Sequence, residues 1–407
     1  MEKIDKLIKL VDFSGNDSFR HYDAAKKAMF HKKNFTSFLA GKYSSVKPIC
    51  VEIVPSLDCN FMCPNCTYAQ NKSKLNKGLS ARFLTKKVFN RMMKELESFD
   101  VKSVIFTGGG EPAMNPNLIE YMKVASKKFD VGLYTNGLLW DEEKIEKVLR
   151  LNPAFVRISI NAGTSDVHSK VFGYNNKILN TGEIFEKVKN NIIKFGEKKK
   201  ELGVNTLIGL GIIINEKNYA DISNIFSLVD ELNTKSNCGI DYAAFRPEVY
   251  YFGSNLEACK IQPNAGIFKK IKLDSFIKKY KKSNVELIFN EEGFRSLSKP
   301  YKEEKNIAAS WSVSFNYDGK LYFTSEHNGM ESYYIGDIMK TSLVEIWKGK
   351  HRMNLLNSAT TLPNFKLKSL NELLFEIKKL GKFSRNEISE FYKKYKGDKE
   401  SVHNNFI

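Results

Sequence analysis

Three cysteines stand close together in a chain that has few others. Cys59, Cys63 and Cys66 follow a C-x3-C-x2-C spacing, and the 407-residue sequence contains six cysteines in all. Thiolates are soft ligands, and cysteines at such spacing favour zinc or an iron–sulfur cluster. Three thiolates leave one position of a four-ligand site open, and an open position is where a bound metal carries out chemistry. The spacing therefore predicts a reactive metal centre.

Two structural explanations of these cysteines fit the sequence less well. A structural zinc site needs a fourth Cys or His at short spacing, and the nearest downstream histidine is His168. A disulfide framework belongs to small secreted chains, whereas this chain is long and its first residues lack a secretory apolar core. We therefore expect a cytoplasmic protein with reduced cysteines.

The chain is strongly basic, with a formal net charge of +18. Its lysines are scattered, and the only uninterrupted run of three is Lys198–Lys200 on the outer face of a predicted helix, so a nucleic-acid partner is not expected. A basic field favours an anionic small-molecule substrate such as a phosphate ester. The longest apolar run, Leu207–Ile214, is too short to cross a bilayer.

Strand-like and helical patterns alternate between residues 50 and 250, which is typical of βαβ units around a parallel sheet. Arg82–Phe99 and Ala220–Leu232 have the apolar spacing of helices. Six units favour a partial (β/α)6 TIM-like barrel, in which the loops after the strands carry the chemistry. The predicted strands are Ile49–Pro55, Val101–Phe106, Val131–Tyr134, Phe155–Ile160, Asn205–Ile214 and Ile240–Phe245.

The C-terminal part has a different pattern. An Asp318-Gly319 pair predicts a hairpin over Ser312–Thr324. Ser369–Glu372 and Ser384–Glu387 match capping boxes and predict two helices. The predicted fold class is α/β: a partial barrel, a smaller α+β extension and a helical tail. The predicted units are a helical lead-in (1–47), the barrel (48–260), the extension (261–360) and the tail (361–407).

The cysteine loop follows the first predicted strand, and Gly108–Pro112 follows the second. This combination resembles the radical S-adenosylmethionine (radical SAM) enzymes, which carry a cluster loop and a Gly-Gly-Glu-Pro segment at those two places. The resemblance implies that Cys59, Cys63 and Cys66 hold a [4Fe–4S] cluster and that S-adenosylmethionine binds its fourth iron. It also implies that the reduced cluster cleaves S-adenosylmethionine, and that a 5′-deoxyadenosyl radical then removes a substrate hydrogen.

The resemblance also implies which residues contact S-adenosylmethionine. Phe61 or Tyr68 would meet the adenine, because Asn65 stands where many members carry an aromatic residue. An ordinary turn at Asn136 and core filling at Ser159 are the structural alternatives. The predicted cofactor contacts are Phe61, Gly108, Gly109, Gly110, Glu111, Asn136, Arg157, Ser159, Asn161 and Ile213.

Three further residues are candidates for substrate chemistry. Arg246 and Glu248 follow the sixth predicted strand, where an arginine can grip a phosphate or carboxylate with two hydrogen bonds. A structural Arg–Glu bridge is the alternative. Cys259 follows on the same side, where a thiol could return a hydrogen atom to a substrate radical, and a packed thiol is the alternative.

The C-terminal extension resembles the SPASM or twitch extension of this superfamily. The resemblance rests on Asn316–Tyr322, Tyr334–Ile338 and Ser342–Trp347. Thr324 and Ser325 stand where members with auxiliary clusters carry cysteines, so no auxiliary cluster is expected. The extension is predicted to cover the substrate.

These features favour a small polar substrate, such as a sugar or a nucleotide-linked sugar, and a flavodoxin or ferredoxin as electron donor. A peptide-modifying enzyme is the alternative within the superfamily. The residues before the first strand are too few for the N-terminal winged-helix domain that such members often carry. A non-catalytic iron–sulfur binding module and a zinc-binding nucleic-acid protein are the alternatives from other classes.

Overall fold

One mixed sheet organises the protein. The computed structural model describes residues 2–12, 24–64, 66, 82–174, 181–249, 267, 285–290, 293–294, 304–359, 367–395 and 402–406. Across that part of the chain the strand order is β10-β9-β8-β1-β2-β3-β4-β5-β6-β7. The strands are β1 Cys50–Ile53, β2 Ser103–Phe106, β3 Asp130–Thr135, β4 Phe155–Ser159, β5 Leu207–Ile214, β6 Tyr242–Pro247, β7 Glu286–Phe289, β8 Ser312–Phe315, β9 Lys320–Tyr322 and β10 Tyr334–Asp337.

Strands β1 to β7 pair in parallel with their neighbours, and helices lie between most of them. This arrangement confirms the predicted α/β fold with a partial barrel. The helices are α1 Glu2–Leu10, α2 Ala24–Ala28, α3 Lys32–Leu39, α4 Lys86–Ser98, α5 Leu118–Ala125, α6 Glu142–Leu149, α7 Ser165–Phe172, α8 Thr181–Leu202, α9 Ile222–Lys235, α10 Leu343–Lys348, α11 Lys350–Ser358, α12 Lys368–Lys379 and α13 Arg385–Lys394.

Hydrogen bonds at the helix ends explain why some helices begin at residues other than the predicted ones. The helix predicted from residue 82 begins at Lys86, because the side chain of Thr85 accepts a hydrogen bond from the Val88 N–H and caps the first turn. The predicted capping box at Ser384 and Glu387 is confirmed. The one at Ser369 was wrong, because α12 begins earlier, after Leu367, without a side-chain cap.

The extension continues the barrel sheet. The predicted hairpin is confirmed as β8 and β9, and Gly319 takes the φ of +90° that its tight turn requires. Strand β8 also pairs in parallel with β1, with Ser314 opposite Glu52. The predicted boundaries at 260/261 and 360/361 lie outside the described residues, so the division into units stays a prediction.

The first helices and the tail helices share a second hydrophobic core. Helix α1 contacts α12 and α13, and α12 contacts α2. The largest side chains buried in this core are Phe35, Trp311 and Phe391. The lead-in and the tail therefore stabilise one another beside the barrel.

Asn405 and Phe406 pack against the end of the sheet where strands β1, β3 and β4 begin. The Phe406 ring packs at 5.0 Å on Phe155, within a small cluster that also contains Cys50 and Ile105. The Asn405 side chain donates a hydrogen bond to Asp130. None of the helices in the described part of the chain has the length and apolarity needed to span a membrane.

Candidate cluster and cofactor site

The cysteine loop crosses the upper edge of the sheet, where β1 ends. Its approach is fixed by a bridge between Ser56 and Phe83 and by a hydrogen bond from the Leu57 N–H to the Arg82 carbonyl. The Arg82 guanidinium also lies 2.5 Å from the Asp58 carboxylate. The backbone just before Cys59 is therefore held by a second segment of chain.

Helix α7 supports the same loop from the other side. Gly173 ends the helix with a φ of +57°, and a Cβ there would lie 2.3 Å from the Met62 carbonyl oxygen. The Met62 N–H donates to the Phe172 carbonyl. The Phe61 ring packs 5.0 Å from Phe172 and 5.3 Å from Tyr174, and only 2% of the residue is exposed. Phe61 thus anchors the loop. Tyr68 lies outside the described residues, and an adenine contact of either aromatic residue stays a prediction.

The three thiols influence one another. Burial, together with the neighbouring Cys66 and Cys59, raises the pKa of Cys63 to about 12. The described residues bring no three Cys, His, Asp or Glu side chains together on a single ion. A four-iron cluster instead places each cysteine on a different iron, and metal binding removes the thiol protons. The donor set therefore fits a cluster with three protein ligands.

The glycine segment after β2, Gly108–Gly110, packs closely against the cysteine loop. The Gly110 N–H donates to the Ser56 carbonyl at 2.9 Å, and the Glu111 N–H donates to the Asp58 carbonyl at 2.8 Å. A Cβ at Gly110 would lie 2.0 Å from the Asp58 oxygen, and one at Gly108 would lie 1.6 Å from the Gly110 oxygen. These glycines are needed for loop packing, while a cofactor contact of Gly108, Gly109 or Gly110 stays a prediction.

Glu111 ties the second loop to the third. Its carboxylate accepts hydrogen bonds from the Thr135 hydroxyl at 2.5 Å and from the Asn136 N–H at 2.7 Å. Only 3% of Glu111 is exposed, and this burial raises its pKa to about 7 against the opposing effect of the hydrogen bonds. Both carboxylate oxygens have partners within the protein, so a cofactor contact of Glu111 also stays a prediction.

Asn136 contacts the cysteine loop directly. Its amide nitrogen donates to the Asn60 side chain at 2.8 Å and lies 4.0 Å from the Cys59 sulfur. The Phe61 N–H lies 3.4 Å from the same sulfur. Hydrogen bonds to the sulfurs of a cluster change its reduction potential. Asn136 is therefore placed to orient Cys59, a role that the ordinary-turn alternative does not include.

A cross-strand row on the inner face of the sheet joins Arg157, Gly209 and Tyr242. The Arg157 Nε donates to the Tyr242 hydroxyl at 3.1 Å. A Cβ at Gly209 would lie 1.9 Å from the Tyr242 ring, so this glycine leaves the room that the tyrosine occupies. Sequence reasoning missed Tyr242. The alternating glycines of β5 could have indicated it, because glycines inside a strand often leave space for large side chains on the neighbouring strands.

The other predicted cofactor contacts on β4 and β5 differ in how deeply their side chains are buried. The Asn161 carboxamide oxygen accepts from the Ile213 N–H at 2.8 Å, and Asn161 is 7% exposed, so it links β4 to β5. Ser159 and Ile213 lie partly exposed on the inner face of the sheet. Their contacts with S-adenosylmethionine remain predictions.

The candidates for substrate chemistry lie at the end of β6 or beyond it. Arg246 is exposed and pairs with Ile213 across the strands. Glu248 is close enough to Cys63 for its charge to raise that pKa further. Cys259 lies outside the described residues. Of the cysteines outside the motif, Cys50 is buried in β1 and Cys238 is exposed before β6.

Comparisons with known proteins agree with this site. The model of the Radical SAM superfamily matches residues 53–226. The sporulation killing factor maturation protein SkfB of Bacillus subtilis is 27% identical over 46% of this chain and 41% of its own length. The Fe-coproporphyrin III synthase of Methanosarcina barkeri is 27% identical over 53% of this chain and 47% of its own length. The chain thus spans less than half the length of these two curated relatives.

Solved structures show the same fold at low sequence identity. SuiB of Streptococcus suis, bound to the precursor peptide SuiA, covers 81% of this chain and 70% of its own length, with a TM-score of 0.56 and 13% identity. Native anSMEcpe with bound AdoMet covers 85% of this chain and 100% of its own length, with a TM-score of 0.54 and 15% identity. Residues 53–226 of the chain thus match the radical SAM superfamily, and the chain shares the fold of these two solved structures.

Proposed function

We propose that this protein is a radical SAM enzyme that modifies a peptide. When bound, the reduced cluster would supply the electron that cleaves S-adenosylmethionine and so provides the radical that takes a substrate hydrogen. One observation carries the proposal: three separate contacts hold the cysteine loop in place. They are made by Arg82, Gly110 and Gly173. Rigid support of this kind holds reactive groups in a productive geometry.

The chain's own residues prepare this site in two ways. Glu111 and Asn136 join the loops after β1, β2 and β3, so the three loops hold one arrangement. Ser159 and Ile213 offer partly exposed surface beside them, and we propose that S-adenosylmethionine lies there. Arg246 and Glu248 border the same opening and are proposed to contact the substrate.

The comparisons support a peptide over the sugar that sequence analysis preferred. One curated relative is described as a maturation protein, and one structural neighbour was solved with a precursor peptide. We further propose a flavodoxin or ferredoxin as electron donor and a cytoplasmic location.

Anaerobic reconstitution tests the radical chemistry. The protein is loaded with iron and sulfide and reduced, and 5′-deoxyadenosine is measured after S-adenosylmethionine is added. About four irons per chain with cleavage are expected for one cluster. Cys63→Ala should abolish both, whereas Cys238→Ala, which removes an exposed thiol outside the motif, should change neither. Zinc in place of iron, or iron without cleavage, would contradict the proposal.

The substrate class is tested in the same assay. A random-sequence peptide pool and a panel of nucleotide sugars are added separately, and 5′-deoxyadenosine formed above the substrate-free rate is compared. Stimulation by the peptide pool supports the proposal. Stimulation by nucleotide sugars alone would restore the sugar as the preferred substrate.

A further inference from the structure

We propose that the side-chain amides of Asn60 and Asn136 donate hydrogen bonds to sulfur atoms at the Cys59 corner of the bound cluster and so raise its reduction potential. The inference rests on the proposed function, because that function requires the cluster, and it names two residues that adjust the redox chemistry without being ligands. Three features support it: the fixed orientation of Asn136, a buried amide nitrogen of Asn60, and the contacts of the Cys59 sulfur.

Asn136 is held so that its amide nitrogen faces the cysteine loop. Its backbone N–H donates to the Glu111 carboxylate at 2.7 Å, and its side-chain oxygen accepts from the Leu138 N–H at 3.1 Å. Because the oxygen is engaged there, the nitrogen is the atom that meets the loop, at 2.8 Å from the Asn60 Oδ1 and 4.0 Å from the Cys59 Sγ. Only 8% of Asn136 is exposed, so this donor is shielded from water.

The same contact orients Asn60. Since the oxygen of its side chain accepts from Asn136, the Asn60 amide nitrogen is turned the other way. That nitrogen is buried and has no hydrogen-bond acceptor among the described residues, although Asn60 as a whole is partly exposed. A buried N–H group without an acceptor is costly, so a bound group that accepts from it is favoured. Asn60 directly follows a predicted cluster ligand, and the sulfurs of an iron–sulfur cluster accept hydrogen bonds.

The Cys59 sulfur already has polar contacts within the loop. The Phe61 N–H donates to it at 3.4 Å, and the thiol lies 4.0 Å from the Asn60 oxygen. Cluster binding removes the thiol proton, so the sulfur can no longer donate to that oxygen and becomes an acceptor only. The Asn136 amide nitrogen is then placed to donate to it.

These donors would act on the reduction of the cluster. Reduction adds one electron and breaks no bond, so the added negative charge is spread over the irons and sulfurs. N–H groups that point at the sulfurs stabilise this charge and make reduction easier. Burial strengthens the effect, because a hydrogen bond shielded from water is electrostatically stronger than one in water.

A purely structural role of the two amides is the alternative. In that case they would only join the loops after β1 and β3 through their mutual hydrogen bond. This role leaves the buried Asn60 nitrogen unexplained, because the mutual bond uses only the Asn60 oxygen. S-adenosylmethionine is the other ligand that could accept from this nitrogen, and the experiment separates the two.

A redox titration of the reconstituted full chain tests the inference. Dithionite supplies the electrons in the absence of S-adenosylmethionine, and electron paramagnetic resonance measures the reduced fraction. Asn60→Leu and Asn136→Leu each remove an amide, keep its approximate size and add no charge. Each should lower the ratio of reduced to oxidised cluster about tenfold at a given applied potential, as expected for losing one hydrogen bond to a charged group. This shift corresponds to about 59 mV for a one-electron couple.

Two variants of equal size sharpen the measurement. Asn60→Asp and Asn136→Asp keep the accepting oxygen and replace the donor with a second oxygen, so they should lower the potential further than the leucine variants. Asn90→Leu is the matched control, because Asn90 is an exposed asparagine on α4. It should have the potential of wild type. Iron content is measured for every variant and should stay at about four per chain.

Each other outcome overturns the inference in a distinguishable way. An unchanged potential in the leucine variants at full iron content would show that the amides only join the loops. Loss of iron from all four variants would assign the pair to the folding of the cysteine loop. An unchanged potential with weaker S-adenosylmethionine binding in Asn60→Leu would assign the Asn60 nitrogen to the cofactor. In these cases the proposed function stands while wild type cleaves S-adenosylmethionine, whereas zinc in place of iron in wild type would overturn both.

Discussion

The loops after β1, β2 and β3 and the inner face of β4, β5 and β6 use glycine in opposite ways. At Gly110 the absent side chain lets two backbones touch, so the loops lock together. At Gly211 it leaves room beside the flexible Arg157 side chain. The loops around the cysteines are thus closely packed backbone on backbone, whereas the inner face beside Arg157 borders a side chain that can move. The comparison indicates that an added methyl group costs far more in the loops than on the inner face.

The largest effect is expected from Gly110→Ala. Its new Cβ would lie 2.0 Å from the Asp58 oxygen, and a backbone atom cannot move aside as a side chain can. We expect the cysteine loop to shift and most of the cluster iron to be lost, as measured by iron content after reconstitution. Gly203→Asn is the control, because open space surrounds Gly203 and Asn tolerates its φ of +62°. Full iron content in Gly110→Ala would contradict the prediction, because it would show that the loops tolerate a side chain at this position.

The second effect concerns Glu111→Gln. The substituted amide cannot accept every hydrogen bond that the carboxylate accepts, so the unfolding free energy should fall by about 2 kcal/mol near neutral pH. Because the pKa of Glu111 is raised to about 7, the contribution of Glu111 to wild-type stability should fall as the pH rises from about 4.5 to 7, and the difference between wild type and variant should change accordingly. Urea unfolding at pH 5 and pH 8 measures both effects.

Glu120→Gln serves as the control for that experiment, since Glu120 is exposed on α5. It should retain the pH dependence of wild type. An identical pH dependence in Glu111→Gln would show that another group causes it.

A third effect comes from two buried histidines, His168 on α7 and His327 in the turn after β9. Burial lowers the pKa of both His168 and His327 to about 3, so each is neutral in the folded chain. The unfolded chain binds their protons near pH 6.5, so stability should fall below that pH by at most about 1.4 kcal/mol per pH unit for each histidine. His168→Phe should remove about half of this slope in urea unfolding between pH 6.5 and 5. An unchanged slope would contradict the prediction.

The smallest effect is expected from Gly211→Ala. The added Cβ would lie 3.3 Å from the Arg157 Cδ, so the arginine must yield by only a few tenths of an ångström. The melting temperature should change little, because only the Arg157 side chain needs to move. A large loss of stability would show that the inner face is as tightly packed as the loops.

The sequence predicted the elements better than the contacts between them. Hydrophobic periodicity and turn residues predicted most of the parallel strands, and the cysteine spacing predicted a cluster loop whose role stays a prediction. Strand β7 was missed, because it is short and follows a long stretch without a clear pattern. The pairing of β8 with β1 was also missed, because it joins residues more than 250 positions apart and no local signal encodes it.

The roles within the site show the same limit. The sequence singled out the glycines, Glu111 and Asn136, but sequence spacing does not reveal which partner each one meets, and their cofactor contacts stay predictions. Phe61 illustrates the point, since an aromatic residue in a cluster loop suits a ligand or a core equally well. Its packing on Phe172 of α7 could not be predicted, because the two residues lie more than 100 positions apart.

The packing of Phe406 on Phe155 ties residues 402–406 to the start of the barrel strands. Asn405 adds a hydrogen bond to Asp130 at the start of β3. These contacts join residues more than 250 positions apart, so during synthesis the strands must wait for this segment before their lower end is fully packed.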